Sequence, residues 1–352
     1  MIIEIDPVLD PRWDQFVESH PFGLICHLSG WKQVLEESFP HMKGHYLAIL
    51  NHDNNSILAA LPVFEVRSIL TGNRLVSITF ATNCDPLISS KENFRELLES
   101  VINLSTKLKC PKIEIRALAS LHLVQDDRLG IVVHDNSHQL SLETTPAELM
   151  KTFDGKARSR IKKSLKNGLD LQIARSEEDL LEFYKLYVKA RKRLGLPPQS
   201  YLFFELLWRK FYPTNHITLL LVSHKGQLVS GLLMFKFKNR CSQEYLASDE
   251  RFNHLYINYF CMFEAIKLAQ SEGYKIYDLG RTGIKNEGLM SYKNHWGGKV
   301  VDLPKFYYPK KLCSSLVPQE TSVFYKLIRN ISKHVPDSLF VSIGNFMYRH
   351  LG

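Results

Sequence analysis

The sequence lacks long hydrophobic runs, closely spaced cysteines and a secretion signal. The N-terminal stretch has neither a basic start nor an apolar core, so no leader peptide is expected. No apolar run approaches the ~18 residues needed to cross a bilayer. The six cysteines are scattered without a Cys-x-x-Cys pair, so neither a disulfide framework nor a zinc site is predicted. We therefore expect a cytoplasmic protein without a metal or a cofactor.

Positive charge, in contrast, is abundant and unevenly distributed. The chain has 352 residues, 45% of them hydrophobic, which is enough for two ordinary domains. Its formal net charge is +9, and residues 151–167 alone contain seven basic residues and one acidic residue. Such a concentration predicts an anionic partner, such as the phosphates of a nucleotide, a nucleic acid or a lipid surface. A solvated helix face is the alternative interpretation.

The order of predicted elements repeats along the chain. Each half begins with a strand and two helices, continues with three strands and one helix, and ends with two strands. Repetition at one spacing indicates tandem copies of a fold unit. We expect an α/β protein with mixed sheets, and domains at 1–150, 151–310 and 311–352. The basic helix, predicted at 157–167, would lie at the junction between the two copies.

The last segment is predicted to form amphipathic helices. Two apolar stripes at helical spacing support this expectation. The first comprises Val323, Phe324, Leu327, Ile328 and Ile331, and the second Leu339, Phe340, Ile343, Phe346 and Met347. Packing onto the body of the protein is one interpretation. Lying flat on an anionic membrane, the inner surface of the cell membrane, is the alternative, since basic residues oppose the first stripe.

Residues 276–298 combine a short strand, several glycines and a lysine between aromatics. The strand leads to Asp278, and glycines such as Gly280 then allow close approach to the main chain. Lys293 lies next to Tyr292 and three residues before Trp296. A lysine held in this way can place positive charge where negative charge develops during a reaction. A solvated loop with core-filling aromatics is the alternative.

The whole pattern resembles the GNAT acyltransferase fold and, more closely, the Fem (FemAB/FemX) family of peptidyl transferases. The element order of each half is that of a GNAT domain. The motifs that carry the Fem resemblance lie between residues 20 and 310. They include His27-Leu-Ser-Gly-Trp31, Asp85-Pro-Leu87, Arg158-x-Arg-Ile-Lys-Lys163, Tyr277-Asp-Leu-Gly-Arg281 and Tyr292-Lys-x-x-Trp-Gly297.

This resemblance implies transfer of an amino acid from aminoacyl-tRNA to an amine of a peptidoglycan precursor. It implies that basic residues bind the pyrophosphate of the precursor, with Lys32, Arg160 and Lys163 as the candidates. It also implies that Lys293 acts at the reacting ester. The predicted substrate-binding residues are Lys32, Asp85, Arg160, Lys163, Arg281, Tyr292 and Trp296. The family's long coiled-coil arm is missing, because the helices predicted at 177–194 and 200–211 are too short.

Several roles stay open at this point. Asp278 is either a general base or a turn cap, and Asp85 is either a turn residue or part of the cleft. Arg281 either clamps an anion or pairs with Asp278.

Two other functions remain as alternatives. An acyl-CoA-dependent N-acyltransferase would act on a sugar or amine in envelope biosynthesis. However, the segments 81–88 and 248–255, where GNAT enzymes cradle the CoA pyrophosphate, contain no glycine. A non-catalytic module that binds RNA or an anionic glycolipid through the basic helix is the third interpretation.

Overall fold

The computed structural model describes residues 1–53, 55–69, 71–315 and 335–350. These residues form two compact units, each a mixed sheet covered by helices. Among the described residues, the first unit contains 1–134, 302–315 and 345–350. The second unit contains 135–301 and 335–344. The predicted α/β class is confirmed.

The first unit is built on strands β1 to β5 with three helices. In chain order the elements are β1 (Ile2–Ile5), α1 (Arg12–Ser19), α2 (Ser29–Ser38), β2 (Met42–Leu50), β3 (Ile57–Val66), β4 (Arg74–Ser77), α3 (Lys91–Lys107) and β5 (Ile113–Arg116). Neighbouring strands are antiparallel except β4 and β5, which are parallel. Parallel pairing requires a crossover, and α3 supplies it.

The second unit has the sheet order β6-β11-β10-β9-β8-β7. Its elements are β6 (Gly130–Ser141), α4 (Pro146–Thr152), α5 (Gly155–Ser164), β7 (Leu169–Ile173), α6 (Glu177–Leu194), α7 (Tyr201–Phe211), β8 (Ile217–His224), β9 (Gln227–Phe237), β10 (Arg240–Ser248), α8 (Ile257–Ser271), β11 (Ile276–Gly283) and α9 (Glu287–Asn294). Helix α8 is the crossover between the parallel strands β10 and β11. The order of elements therefore follows that of the first unit.

Local sequence explains the crossover helix α3. Ser90 caps its N-terminus by accepting a hydrogen bond from the backbone of Asn93. Its buried positions follow the i, i+3, i+4, i+7 pattern that turns one face toward the sheet. They are Phe94, Leu97, Leu98 and Val101. These side chains join the hydrophobic core of the first unit. Burying each such side chain stabilises the fold by about 2 kcal/mol.

The final strand of the chain completes the first unit. Strand β12 (Lys299–Tyr308) pairs antiparallel with β5 through residues 305–308. Strand β6, the last strand of the first half of the sequence, instead pairs antiparallel with β11 in the second unit. Both strands were predicted. Strand β6, from the first half of the sequence, pairs with a strand of the second unit, whereas β12, from the second half, pairs with a strand of the first. The domain boundaries at 150 and 310 stay predictions.

Some local expectations were wrong. Residues 284–295, predicted as a loop, contain α9, which is capped by the side chain of Asn286. The basic helix predicted at 157–167 is α5, which begins at Gly155 with Asp154 as its cap. It packs against α8 within the second unit.

The C-terminal segment is described in part. The predicted stripe from Val323 to Ile331 lies outside the described residues. The second stripe lies on helix α10 (Asp337–Tyr348), on which Phe340 and Met347 are buried. Leu339 and Phe346 are about half exposed. Across the described ranges, no helix is both long and apolar enough to cross a membrane.

Candidate active site

Strands β10 and β11 diverge near their middles. They pair in parallel only from Arg240–Ile276 to Ser242–Asp278, although both strands continue beyond these pairs. The pairing of β10 with β9 shifts register at Glu244, and the pairing of β11 with β6 shifts register after Asp278. Such bulges bend a strand and redirect its side chains. Two bulges therefore mark the point at which the parallel strands separate.

Gly280 lies at the bulge in β11. Its φ angle of +73° is one that residues with a side chain rarely adopt. A Cβ atom at this position would lie 2.7 Å from the backbone oxygen of Gln243 on β10. Glycine is therefore required here, both by its own backbone conformation and by the close approach of the neighbouring strand.

Lys293 points from α9 to this bulge. Its Nζ donates hydrogen bonds to the backbone oxygens of Gly280, at 2.6 Å, and Arg281, at 3.1 Å. The residue is only 3% exposed. Burial lowers the pKa of Lys293 to about 8, although the charges of Asp278 and Glu244 act to raise it. Backbone oxygens thus orient the ammonium group, and burial weakens its preference for the charged form.

Asp278 is fully engaged by neighbouring donors. Its Oδ1 accepts hydrogen bonds from the Ser137 hydroxyl and from the backbone N–H of Gly280, the latter at 2.8 Å. Its Oδ2 lies 3.0 Å from the guanidinium of Arg240. These contacts correspond to the turn-capping alternative, because they fix the backbone at the bulge. Of the two alternatives for Arg281, pairing with Asp278 is not seen, since Asp278 pairs with Arg240 and Arg281 lies beside Asp135.

Glu244 was not identified from the sequence, although it lies in the bulge of β10. Burial raises the pKa of its carboxyl group to about 7, and the nearby charge of Asp278 acts in the same direction. A hydrogen bond from Ser242 Oγ, at 2.6 Å, partly opposes this shift. The residue retains some exposure. The sequence signal is a polar run, Ser242-Gln-Glu244, in the middle of the strand.

Tyr292, which precedes Lys293 on α9, belongs to a group of three aromatic side chains. The rings of Tyr292 and Trp296 lie 5.3 and 5.6 Å from that of Tyr259 on α8. Trp296 is fully buried, so it forms part of the core. The guanidinium of Arg160 donates to the Tyr259 hydroxyl at 2.6 Å and lies over its ring. This places Arg160, from the basic helix α5, beside the aromatic group.

The other predicted cations differ in their surroundings. Lys163 Nζ lies 5.8 Å from the ring centroid of Tyr256, just before α8. The side chain of Arg281 is 55% exposed, and its guanidinium lies 3.5 Å from the carboxylate of Asp135. The second unit contains Lys163, Arg281 and Lys293. No contact between Arg281 and the basic helix is recorded among the described residues.

Lys32 and Asp85 belong to the first unit. Lys32 Nζ forms an ion pair with Glu36 at 2.8 Å, one helical turn along α2. Asp85 is only 1% exposed, and its oxygens accept hydrogen bonds from the backbone of Leu118 and from Ser120 and Asn83. This network fixes two loops to each other. The geometry of Asp85 therefore corresponds to the structural alternative considered from the sequence.

The groups around the bulges provide both an acid and a base near neutral pH. Glu244 and Lys293 are close enough for the charge of each to shift the pKa of the other. Groups with pKa values moved toward 7 from opposite sides suit proton transfer at physiological pH. Lys293 has three N–H donors, and two of them are directed at backbone oxygens. The third can stabilise an oxyanion.

Comparisons with known proteins agree with this architecture. A family described as the acetyltransferase (GNAT) domain matches residues 153–294. A curated protein of Weissella viridescens, UDP-N-acetylmuramoylpentapeptide-lysine N(6)-alanyltransferase, is 22% identical over 333 residues, which cover 86% of this chain and 92% of the relative.

Two solved structures have a similar fold. The crystal structure of FemX aligns with a TM-score of 0.72 at 16% identity, covering 90% of this chain and 99% of FemX. A tandem GNAT protein from the clavulanic acid biosynthesis pathway aligns with a TM-score of 0.53 at 11% identity, covering 87% of this chain and 97% of that protein. The expectation of two GNAT-like units is thereby confirmed.

Proposed function

Since the chain is a member of the Fem family of tandem GNAT-fold acyltransferases, we propose that it transfers an amino acid from aminoacyl-tRNA to an amine of a peptidoglycan precursor. The similarity to a pentapeptide-lysine alanyltransferase over most of both chains supports the acceptor class. The observation that carries the chemistry is the buried, backbone-oriented ammonium of Lys293 beside the separation of β10 and β11.

In the proposed reaction, the acceptor amine first loses a proton to Glu244. The amine then attacks the ester carbonyl of the aminoacyl-tRNA, and the oxyanion that forms accepts a hydrogen bond from Lys293. When the intermediate collapses, Glu244 gives its proton to the departing tRNA 3′ oxygen, the nitrogen loses a second proton to solvent, and an amide remains. No covalent enzyme intermediate is required, because the ester is already activated. Positioning the amine and the ester supplies several kcal/mol of the barrier reduction.

Glu244 is preferred to Asp278 as the proton acceptor in this proposal. The carboxylate of Asp278 already accepts hydrogen bonds from three groups, including the guanidinium of Arg240. Burial raises the pKa of Glu244 to about 7, which makes it a stronger base at neutral pH. Asp278 is assigned the role of shaping the bulge that holds Lys293.

Arg160 and Lys163 are proposed to bind the pyrophosphate of the acceptor, as the Fem resemblance implies, and Lys32 of the first unit stays a predicted substrate-binding residue. Arg160 and Lys163 lie on one helix and are oriented by tyrosines at the start of α8. Fixed cations of this kind suit a phosphate better than freely moving ones, because less side-chain entropy is lost on binding. A lipid-linked precursor would bring the enzyme into peripheral contact with the inner membrane surface.

Acyl-CoA is the alternative donor. The segment between β10 and α8 contains no glycine and forms a short 3-10 helix, Glu250–Leu255. That composition does not favour a loop of backbone N–H groups around a pyrophosphate. The donor can be identified by incubating the enzyme with charged tRNA, and separately with acetyl-CoA, in the presence of UDP-muropeptide or lipid-linked acceptors. Mass spectrometry then identifies the group added.

The variant Lys293→Met tests the catalytic assignment. Product formation is expected to fall by at least two orders of magnitude, while acceptor affinity changes little. Lys189→Met is the matched control, since Lys189 is an exposed residue of α6. Full activity of a folded Lys293→Met protein would remove the assignment. Transfer from acetyl-CoA alone would identify the alternative donor.

A further inference from the structure

The first unit contains a buried cluster that the proposed reaction does not use. Cys26 and His27 lie in a short 3-10 turn, Ile25–His27, and Cys84 lies in the irregular segment after β4. One side-chain donor atom from each of these residues lies within 4.8 Å of the other two. Cys26 is 3% exposed and Cys84 is 1% exposed. Two thiols and an imidazole are thus enclosed together.

The hydrogen bonds of His27 determine which ring nitrogen carries the proton. The backbone N–H of Leu24 donates to His27 Nδ1 at 3.0 Å, so Nδ1 acts as an acceptor. In the neutral ring the proton is then on Nε2. This nitrogen lies 3.0 Å from the backbone oxygen of Asp85 and 3.3 Å from Cys84 Sγ. The Nε2–H group therefore lies within reach of two acceptors, the backbone oxygen of Asp85 and the sulfur of Cys84.

This arrangement disfavours a metal site. Two cysteines and a histidine are common zinc ligands, but a metal needs the lone pair of the coordinating nitrogen. Here Nε2 carries the proton, and Nδ1 accepts the backbone N–H of Leu24. Binding a metal through Nε2 would require the proton to move to Nδ1 and that hydrogen bond to break.

The same contacts favour a thiolate at Cys84. Burial by itself raises the pKa of this thiol, but hydrogen bonds from Cys26 and His27 act in the opposite direction, and the pKa is lowered below its ordinary value. A thiolate, and not a thiol, is the form of cysteine that peroxides oxidise. Cys110 and Cys241 are also buried, but burial raises the pKa of each of these thiols. The cluster therefore differs from the ordinary buried cysteines of this chain.

We propose that Cys26 and Cys84 form a redox-active pair that hydrogen peroxide converts into an intramolecular disulfide. The thiolate of Cys84 attacks one peroxide oxygen, giving a sulfenic acid and releasing hydroxide, which takes up a proton to become water. The thiol of Cys26 then attacks the sulfenic sulfur, the S–S bond forms, and a second water leaves. The two sulfurs lose two electrons in total, and the peroxide is reduced.

The geometry allows this bond to close. A disulfide needs an S–S distance of about 2.05 Å, so the sulfurs must approach by under ~3 Å from their separation of at most 4.8 Å. Hydrogen bonds anchor Asp85, which follows Cys84, so the approach must come mainly from rotation of the two cysteine side chains. Among the described residues, the buried hydroxyl of Tyr46 has no hydrogen-bond partner. Burial raises the pKa of Tyr46, and the charges of Cys84 and Cys26 act in the same direction. This hydroxyl can stabilise the sulfenic oxygen.

Peptide mapping of the full-length protein tests the proposal independently of transferase activity. The protein is treated with hydrogen peroxide, denatured, alkylated with N-ethylmaleimide and digested with trypsin. The expected product is the peptide 13–32 joined to the peptide 75–91, with a mass lower than their sum by about 2 Da. Dithiothreitol should separate the two peptides.

Single variants complete the test. Cys26→Ser should leave a sulfenic acid at residue 84 that dimedone traps, whereas Cys84→Ser should abolish both products. Cys110→Ser is the matched control and should behave as the unmodified protein. Alkylation of all six thiols after peroxide treatment would overturn the proposal. So would stoichiometric zinc in the purified protein that is lost in Cys84→Ser, because that result identifies a metal site.

Discussion

Removing the buried ammonium of Lys293 should make the protein more stable near neutral pH while it abolishes activity. Burial lowers the pKa of this group from its ordinary value of 10.5 to about 8. Each pKa unit corresponds to about 1.4 kcal/mol. Keeping Lys293 charged in the folded protein therefore costs about 3 kcal/mol below pH 8. The hydrogen bonds to two backbone oxygens offset part of this cost.

The protons bound by the folded and unfolded states determine how the free energy of unfolding changes with pH. Between about pH 8 and pH 10.5 the unfolded chain keeps the Lys293 proton, whereas the folded chain has released it. Because the unfolded state then binds more protons, the free energy of unfolding rises with pH. Relative to Lys293→Met, the unmodified protein should gain about 2 kcal/mol between about pH 7.5 and pH 9.5.

Urea unfolding at several pH values, followed by intrinsic fluorescence, measures this difference. The comparison with Lys293→Met cancels most contributions from other titrating groups. Lys189→Met, which removes an exposed lysine, should give a curve parallel to that of the unmodified protein. A stability difference between the unmodified protein and Lys293→Met that stays constant over this pH range would refute the reasoning. The ammonium would then be as well solvated in the folded protein as in water.

The remaining predictions concern the bulges, the first unit and the basic helix. Glu244→Gln should lower turnover by about 10²- to 10⁴-fold, and the rise in rate with pH through about 7 should disappear from the pH–rate profile. Gly280→Ala should destabilise the protein by about 1–3 kcal/mol in urea unfolding, since its positive φ and the nearby strand leave no room for a Cβ atom. Asp85→Ala should cost about 3 kcal/mol in the same assay, because it leaves several buried donors without an acceptor. Arg160→Ala combined with Lys163→Ala should weaken binding of a pyrophosphate-bearing acceptor in a low-salt titration, and unchanged affinity would show that the helix face is merely solvated.

Periodicity in the sequence was sufficient to predict most of the helices and strands. The β-branched and apolar runs, together with the amphipathic segments, predicted the order of elements in both units. Helix α9 was missed because Gly280, Gly283 and Gly288 suggested a loop. In the structure Asn286 instead caps the helix, and tertiary contacts of Lys293 hold it in place. Helix propensity is a weak guide when packing decides the outcome.

The sequence predicted only part of the candidate site, again because tertiary contacts determine the rest. Lys293 and Asp278 stand out because they lie in one stretch that resembles a known motif. Glu244 gives no such signal, since an acidic residue in a strand ordinarily faces solvent. Its position depends on a bulge set by pairing with two other strands. The pairing of Cys26 with Cys84 is similarly non-local, and sequence spacing alone contains no information about it.

The position of β12 has a consequence for synthesis of the chain. During translation, β5 emerges nearly two hundred residues before the strand that will cover its edge. The larger part of the second unit, in contrast, occupies the stretch 135–301 and can fold while the ribosome is still working. Until β12 has been synthesised, β5 of the first unit therefore has an exposed edge that can pair with strands of other chains. A chain truncated before residue 302 should therefore aggregate, because the edge of β5 is never covered.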